Sequence, residues 1–327
     1  MNFLEVPKVE LHLHLDCSLS YDVVKKIKPS VSLKEYRDTF IAPDKCIDLA
    51  DYLKRAFRGI ELMQTSDQLE MVTLDLYRQL FEDGVIYAEI RFAPLLHLEQ
   101  GLSADEVVRS VLKASQKGKE AYGIDGGIIL CTLRHFNEKQ SLVTANLVSK
   151  YYGEGVIGFD IAADEAGFSI SEHISAFQAI SEQGIPSTAH AGEAKGPESV
   201  RETLKYLKPS RIGHGVRSME DSELLQWIID HNIHLEVCPT SNIQTDVYDS
   251  IEYHTIDSLY RSGVSMSVNT DSRTVSKVTL SSEYDLLRQE FQWTPEHFKN
   301  CLLNAIDHAF TTGEVKDKLR KKINRAF

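Results

Sequence analysis

The stretch "VELHLHLD", Val9 to Asp16, alternates apolar and polar residues with a period of two. A β-strand turns successive side chains to opposite faces. Val9, Leu11, Leu13 and Leu15 therefore line one face and suit a buried sheet. His12, His14 and Asp16 share the other face. Two imidazoles facing a protein interior are costly to bury without partners. A bound metal ion satisfies them.

The rest of the chain repeats one rhythm. Short apolar runs, often β-branched, fall at 9–16, 85–94, 126–135, 156–165, 186–193, 211–215, 233–242 and 264–272. Helical patterns lie between them. "SADEVVRSVLKASQKGKEAYG" opens on a serine cap and an acidic first turn and ends at Gly123. "SISEHISAFQAISEQG" sets Ile170, Ile174, Phe177 and Ile180 at spacings of three or four. "DSELLQWIIDHN" and "SEYDLLRQEFQW" read alike. Strands separated by helices predict a parallel sheet. Eight such units predict an α/β fold, a (β/α)8 TIM-type barrel, as one domain over residues 1–327. A doubly wound open sheet is the structural competitor.

One connection is longer than the rhythm requires. From Cys17 to Gly84, Leu49, Leu53 and Phe57 recur at helical spacing. The segment predicts extra helices inserted after strand 1. Insertions there lie at the C-terminal face of a barrel, where active sites form, so a lid or pocket wall is expected.

Composition narrows the partners. The net charge of −12 argues against nucleic acid as a partner. The five cysteines are odd in number, widely spaced and without a CxxC pair, which points away from a disulfide framework and towards a cytoplasmic setting. The N-terminus lacks the pattern of a signal peptide. No apolar stretch approaches the roughly 20 residues of a spanning helix, so no membrane partner is expected.

The polar residues of interest gather at strand ends. The first strand ends in His12, His14 and Asp16. The fifth carries His190 and Glu193 in "AHAGE", the sixth His214 in "GHG", and the eighth Asp271 in "NTDS". The C-terminal ends of barrel strands converge on one mouth. His12, His14, His190 and Asp271 then offer three nitrogens and one carboxylate oxygen, a set that suits one zinc ion per chain with room for a water. The other histidines have no such setting. His97, His173, His231, His254, His297 and His308 read as surface or packing residues, and His135 and His234 lack a partner motif. Cys17 and Cys238 read as small packing residues beside the mouth.

The ordered set "PKVELHLHLD", "YAEIRFAP", "FDIAADE", "AHAGE", "RIGHG", "CPTSN" and "NTD" resembles the adenosine deaminase family of the metal-dependent amidohydrolase superfamily, over nearly the whole chain. The resemblance implies that Asp16 binds ribose, that Glu193 shuttles a proton beside the purine ring, and that His214 helps activate and orient the attacking water. It implies hydrolytic deamination of adenosine and 2'-deoxyadenosine to the inosine forms plus ammonia. The HxE and PCxxC signature of the unrelated cytidine deaminases is absent.

Three positions depart from the family pattern. Cys17 replaces a glycine after HxHxD. Ser272 replaces a second aspartate that contacts purine N7. Ala163 replaces a purine-contacting glycine in "DxAGDE". A serine hydroxyl can still donate to N7. These departures, with residues 44–75, leave open the same chemistry on a modified adenine nucleoside, of the 5'-methylthioadenosine or aminodeoxyfutalosine type. A non-catalytic nucleoside-binding barrel and an ester or amide hydrolase are the readings from other classes. The intact Glu193, His214 and metal set argue against the first, and an ester or amide hydrolase has no need of an acid aimed at a ring nitrogen.

Overall fold

A computed structural model describes residues 2–327. The chain runs β1 (Lys8–His14), α1 (Tyr21–Ile27), α2 (Leu33–Thr39), α3 (Leu49–Ile60), α4 (Ser66–Glu82), β2 (Val85–Phe92), α5 (Ala104–Tyr122), β3 (Asp125–Leu133), α6 (Glu138–Tyr151) and β4 (Val156–Ala162). It continues α7 (Ile174–Glu182), β5 (Thr188–Ala191), α8 (Pro197–Tyr206), β6 (Arg211–His214), α9 (Ser222–Asp230), β7 (His234–Val237), α10 (Pro239–Gln244), α11 (Ile256–Ser262), β8 (Met266–Val268), α12 (Leu280–Phe291), α13 (Pro295–His308) and α14 (Gly313–Ala326).

All strand pairings are parallel. They form two four-stranded sheets, β1 to β4 and β5 to β8. Single parallel bridges join the halves on both sides: Phe159 to Ser187, and Leu13 to Asp271. The second seam is tight, with His14 N donating to Asp271 O at 2.7 Å and Asp271 N to His12 O at 3.0 Å. The fold is the expected TIM-type barrel. The four helices between β1 and β2 include the expected insertion.

Local chemistry explains the elements. The α5 helix has a capping box of Ser103 and Glu106 and ends on Gly123 at φ 66°. Thr65 with Gln68, and Asn137 with Gln140, cap α4 and α6 the same way. Several strands are shorter than their apolar runs. The first stops at His14, so Asp16 lies in the turn beyond it rather than on the strand face. The seventh stops at Val237, because Pro239 opens α10 and proline suits the first turn of a helix.

The apolar packing lies between the strands and the helical ring, as in the Ile90, Phe92, Leu130 and Ile161 cluster. The barrel interior is different. Barrels commonly fill it with branched apolar side chains. Here fully buried charges join across it: Arg211 pairs with Glu89 at 2.6 Å and with Glu236 at 2.6 Å, and Arg91 with Glu236 at 2.7 Å and with Asp160 at 2.8 Å. Buried charges persist when paired in this way.

Candidate active site

The barrel brings the strand-end residues together. The Nε2 atoms of His12 and His14 each lie 3.5 Å from Asp271 Oδ1, and His14 Nε2 lies 3.2 Å from His190 Nε2. The His12 ring is 4.5 Å from that of His190 and 4.8 Å from that of His214. His12, His190, His214 and Asp271 each offer a donor atom within 4.8 Å of the others. Five side chains thus face one point, and either His14 or His214 can complete a four-ligand set with the other three.

Two carboxylates orient the imidazoles from behind. Glu236 Oε2 accepts from His12 Nδ1 at 2.8 Å, and Asp160 lies 3.2 Å from His190 Nδ1. Each leaves its partner's Nε2 lone pair facing the centre, the usual arrangement behind metal-bound histidines. His12 Nε2 is buried with no hydrogen-bond partner. Burial holds His14, His190 and His214 below the ordinary imidazole range, so their rings are neutral. A buried orphan nitrogen among neutral imidazoles and one carboxylate fits a divalent cation of the zinc type. Arg91 ties both orienting carboxylates together and also donates to Leu11 O at 2.6 Å.

Glu193 lies against this centre. Its Oε2 is 3.6 Å from His214 Nε2, and Thr245 Oγ1 donates to its Oε1 at 3.2 Å. Burial pushes the Glu193 carboxyl well above the ordinary range, and the charges of Asp271 and Glu165 add to the shift. The loop that carries it is clamped by Glu165. That carboxylate accepts from Gly192 N at 2.7 Å, Glu193 N at 3.0 Å, Lys195 N at 3.0 Å and the Ser199 hydroxyl at 2.5 Å.

Strained backbone marks the same ends. His214 and Asp271 both have φ 60°, and Ala163 has φ 77°. Non-glycine residues in this region are uncommon and gather at functional sites.

A family profile described as adenosine deaminase matches residues 7–326. The chain is 36% identical to an adenosine deaminase from Clostridium acetobutylicum, over 98% of each chain. The chain belongs to the adenosine deaminase family. It is a deaminase-type hydrolase. Solved structures that share its fold include an adenine deaminase from Arthrobacter aurescens, with a TM-score of 0.90, 24% identity and 98% coverage of both chains. The N6-mAMP deaminase from arabidopsis aligns with a TM-score of 0.89 and 23% identity over 99% of each chain. At those identities the likeness extends to the fold alone.

In this adenosine deaminase family member the clefts meet at the mouth. A cavity of about 50 Å³ is walled by His14, Glu193, His214, Asp271 and Ser272, with Tyr52 from α3 opposite. It shares His14, Cys17, Leu53 and Ala163 with an apolar cavity of about 230 Å³, to which Asp16, Phe57 and Ile60 contribute. A wider groove of about 520 Å³ runs outward past Glu193, Asp48 and Asp246. The insertion is thus a pocket wall, as its position predicted. Ala163 and Ser272 line these cavities, and Asp16 Oδ1 sits 3.9 Å from His14 Nδ1.

Sequence reasoning missed several members. Glu236, Asp160 and Arg91 lie inside apolar strand runs. Tyr52 is a helix residue whose hydroxyl is 2.6 Å from Ser276 Oγ. His254 is not a plain packing residue, because its Nε2 is 3.2 Å from Asn242 Oδ1, and Asn242 Nδ2 is 3.1 Å from His214 Nδ1. His135 lines the apolar cavity, while His234 is held between Ser265 and Ser267, away from it. Cys17 and Cys238 are buried and burial pushes both thiols up, while Cys17 also walls the inner and the apolar cavity. No helix among the described residues is long and apolar enough to cross a membrane.

Proposed function

We propose that the protein deaminates adenosine and 2'-deoxyadenosine hydrolytically, with one zinc ion held by His12, His14, His190 and Asp271. The observation that carries this reading is the meeting of those three imidazoles and the carboxylate 3.2–3.5 Å apart, with a buried Glu193 beside them. A zinc ion held there would supply a nucleophilic water near neutral pH.

The chain's own residues do the rest. Water adds its oxygen to purine C6, and the electron pair of the C6–N1 bond moves onto N1. Glu193, kept neutral by burial, donates its proton to N1. His214 and Asp271 flank the water and hold it in line. Collapse breaks the bond from C6 to the exocyclic nitrogen. Of the two protons that water brings, one leaves on ammonia and the other restores Glu193. Asp16 binds the ribose, the Ser272 hydroxyl donates to N7, and the backbone at Ala163 faces the ring.

The cavities favour a neutral nucleoside over a nucleotide. Neither the inner nor the apolar cavity is lined by an arginine or lysine. The outer groove holds Asp48, Asp164, Glu220 and Asp246, and its Arg217 is paired with Glu220 at 2.7 Å. A phosphate would meet there no cation that lacks a carboxylate partner. A second reading has its own support. The apolar cavity, walled by Leu53, Ala56, Phe57, Leu96 and Leu133, suits an apolar 5' substituent such as methylthio.

Ammonia release and product mass test both, with adenosine, 2'-deoxyadenosine, methylthioadenosine, adenine and AMP, each with and without a zinc chelator. Chelator-sensitive turnover of adenosine and little of AMP is expected. Turnover of methylthioadenosine alone favours the second reading. No turnover by zinc-loaded protein across the panel overturns both.

A further inference from the structure

The hydrogen bonds behind His214 decide which of its nitrogens carries a proton. The chain of contacts begins at a group with no choice of role. The backbone N–H of Ile256 donates to His254 Nδ1 at 3.0 Å. His254 Nδ1 is therefore an acceptor, so the ring proton sits on Nε2. That Nε2–H points at Asn242 Oδ1, 3.2 Å away. The contact fixes the amide of Asn242, with its oxygen towards His254 and its NH2 towards His214. Asn242 Nδ2 then donates to His214 Nδ1 at 3.1 Å. His214 Nδ1 must be an acceptor too, and its proton must sit on Nε2, on the side of Glu193 and the metal-binding centre.

We propose that His254 and Asn242 are positioning residues that lock His214 in the Nε2–H tautomer. The assignment rests on the deaminase reading above and sharpens it. An imidazole that presents N–H has no lone pair for a metal ion at that atom, which leaves His14 rather than His214 as the third nitrogen ligand. Nor does it take the water's proton. His214 donates a hydrogen bond to the attacking oxygen and holds it facing C6. The water's proton passes to the Asp271 carboxylate, which returns it to the departing nitrogen.

The relay is buried, with His254 3% and Asn242 0% exposed, so water does not compete for its bonds. Burial holds the His254 ring near a pKa of about 3, in keeping with a single ring proton. The groups facing His254 are polar or aromatic and uncharged: Asn242, the Ile256 amide and the Tyr248 ring at 4.8 Å.

The test is a tautomer measurement on folded, zinc-loaded protein. Nitrogen-15 NMR of histidine-labelled protein, with His214 assigned by its loss in His214→Gln, distinguishes Nε2–H from Nδ1–H. Wild type is expected to show Nε2–H at His214. Asn242→Asp offers His214 only acceptor oxygens and is expected to move the proton to Nδ1. Turnover should then fall at least about 100-fold, since holding a catalytic imidazole in the wrong tautomer has cost up to about 10⁴ elsewhere. His254→Gln retains an N–H donor to Asn242 and is expected to keep both the Nε2–H signal and most of the turnover. A wild-type His214 that carries its proton on Nδ1, or an Asn242→Asp variant with unchanged tautomer and turnover, overturns the proposal. Wild-type protein that deaminates no purine nucleoside overturns the deaminase reading instead, and the NMR signal still decides the tautomer.

Discussion

Ser241 Oγ donates to Asp271 Oδ2 at 2.7 Å, while the other oxygen of that carboxylate stands 3.5 Å from both His12 and His14. One serine thus selects the oxygen that faces the imidazoles. Ser241 belongs to α10, which Pro239 starts directly after β7. Ser241→Ala removes the bond and frees the carboxylate to rotate. Groups of this kind typically set metal affinity by about 10- to 100-fold. Zinc affinity, measured by chelator competition, is expected to fall by that factor with little change in the melting temperature of the metal-free protein. Unchanged affinity would mean that Asp271 is held by its backbone alone.

On the proposed mechanism, Glu193 works as an acid only while protonated. Its carboxyl is raised well above the ordinary range by burial, then by Asp271 and Glu165. A raised pKa keeps the proton as pH climbs past the ordinary carboxylate value, and the proton is lost only as pH passes the raised one. kcat/KM should therefore hold through the weakly acidic range and drop on the alkaline side. Glu193→Gln should lose at least about 100-fold in kcat, in line with general acid catalysis, and keep its zinc. An alkaline limb unchanged in Glu193→Asp, or a Gln variant with near wild-type kcat, would remove Glu193 from the proton path.

What the sequence revealed about this site follows from where each residue stands. His12, His14, His190, His214 and Asp271 were legible because each closes an apolar run, and a barrel sends all such ends to one mouth. The helices were legible through their caps, as with Ser103 and Gly123. Arg91 was not, since its partners Asp160 and Glu236 lie 69 and 145 residues away and nothing local marks them. Within its own strand it reads, like Glu89, as a charged residue among mostly apolar ones. The early end of β7 had a signal in Pro239 that the apolar run before it outweighed. The relay through Asn242 and His254 depends on which atom faces which, and a sequence carries no trace of that.

Gly59 decides how the inserted wall sits. A Cβ at this position would lie 2.3 Å from the backbone oxygen of Asp16 and 3.0 Å from Leu19 Cδ1. The last turn of α3 thus rests directly on the chain that leaves β1. The same helix carries Leu49, Tyr52 and Leu53 into the inner cavity. Helix propensity alone predicts that Gly59→Ala stabilises by about 1 kcal/mol. The contact predicts the reverse, because the backbone of Asp16 cannot yield as a flexible side chain can. A lower melting temperature and a KM raised about tenfold are expected, since small displacements of positioning groups are costly. A higher melting temperature with unchanged KM would show that α3 is not seated on Asp16.

Ala163 presents the opposite case. Its φ of 77° suits glycine, and its side chain lines both the inner and the apolar cavity. An L-residue held in the left-handed region costs about 1–2 kcal/mol. Ala163→Gly should relieve that strain, partly offset by the freer unfolded chain, for a net gain of about 0.5–1 kcal/mol. In the proposed substrate placement it also opens space beside the ring. Thermal unfolding checks the first effect, and relative kcat/KM for adenosine and N6-methyladenosine checks the second, with the bulkier substrate gaining. A loss of stability would show that the alanine methyl makes packing contacts worth more than the strain.

Glu283 ties stability to pH away from the catalytic centre. It is buried on α12, accepts from Thr240 N at 3.1 Å through Oε1, and has no partner at Oε2. Burial raises its carboxyl to about 8, with the charge of Glu10 adding to the shift. In the unfolded chain the group titrates near ~4.3. Between those values the folded protein holds a proton that the unfolded chain has released. Folded protein therefore binds more protons, and stability falls as pH rises, by up to about 1.4 kcal/mol per unit. The stabilisation is complete below the unfolded value and is lost as pH rises through about 8. Glu283→Gln copies the neutral form, keeps an acceptor for Thr240 and has no proton to lose. Urea unfolding at pH 5.5 and pH 8.5 should show the variant more stable than wild type by a clearly larger margin at the higher pH. Equal differences at both would mean that the carboxylate is accommodated in the fold without its proton.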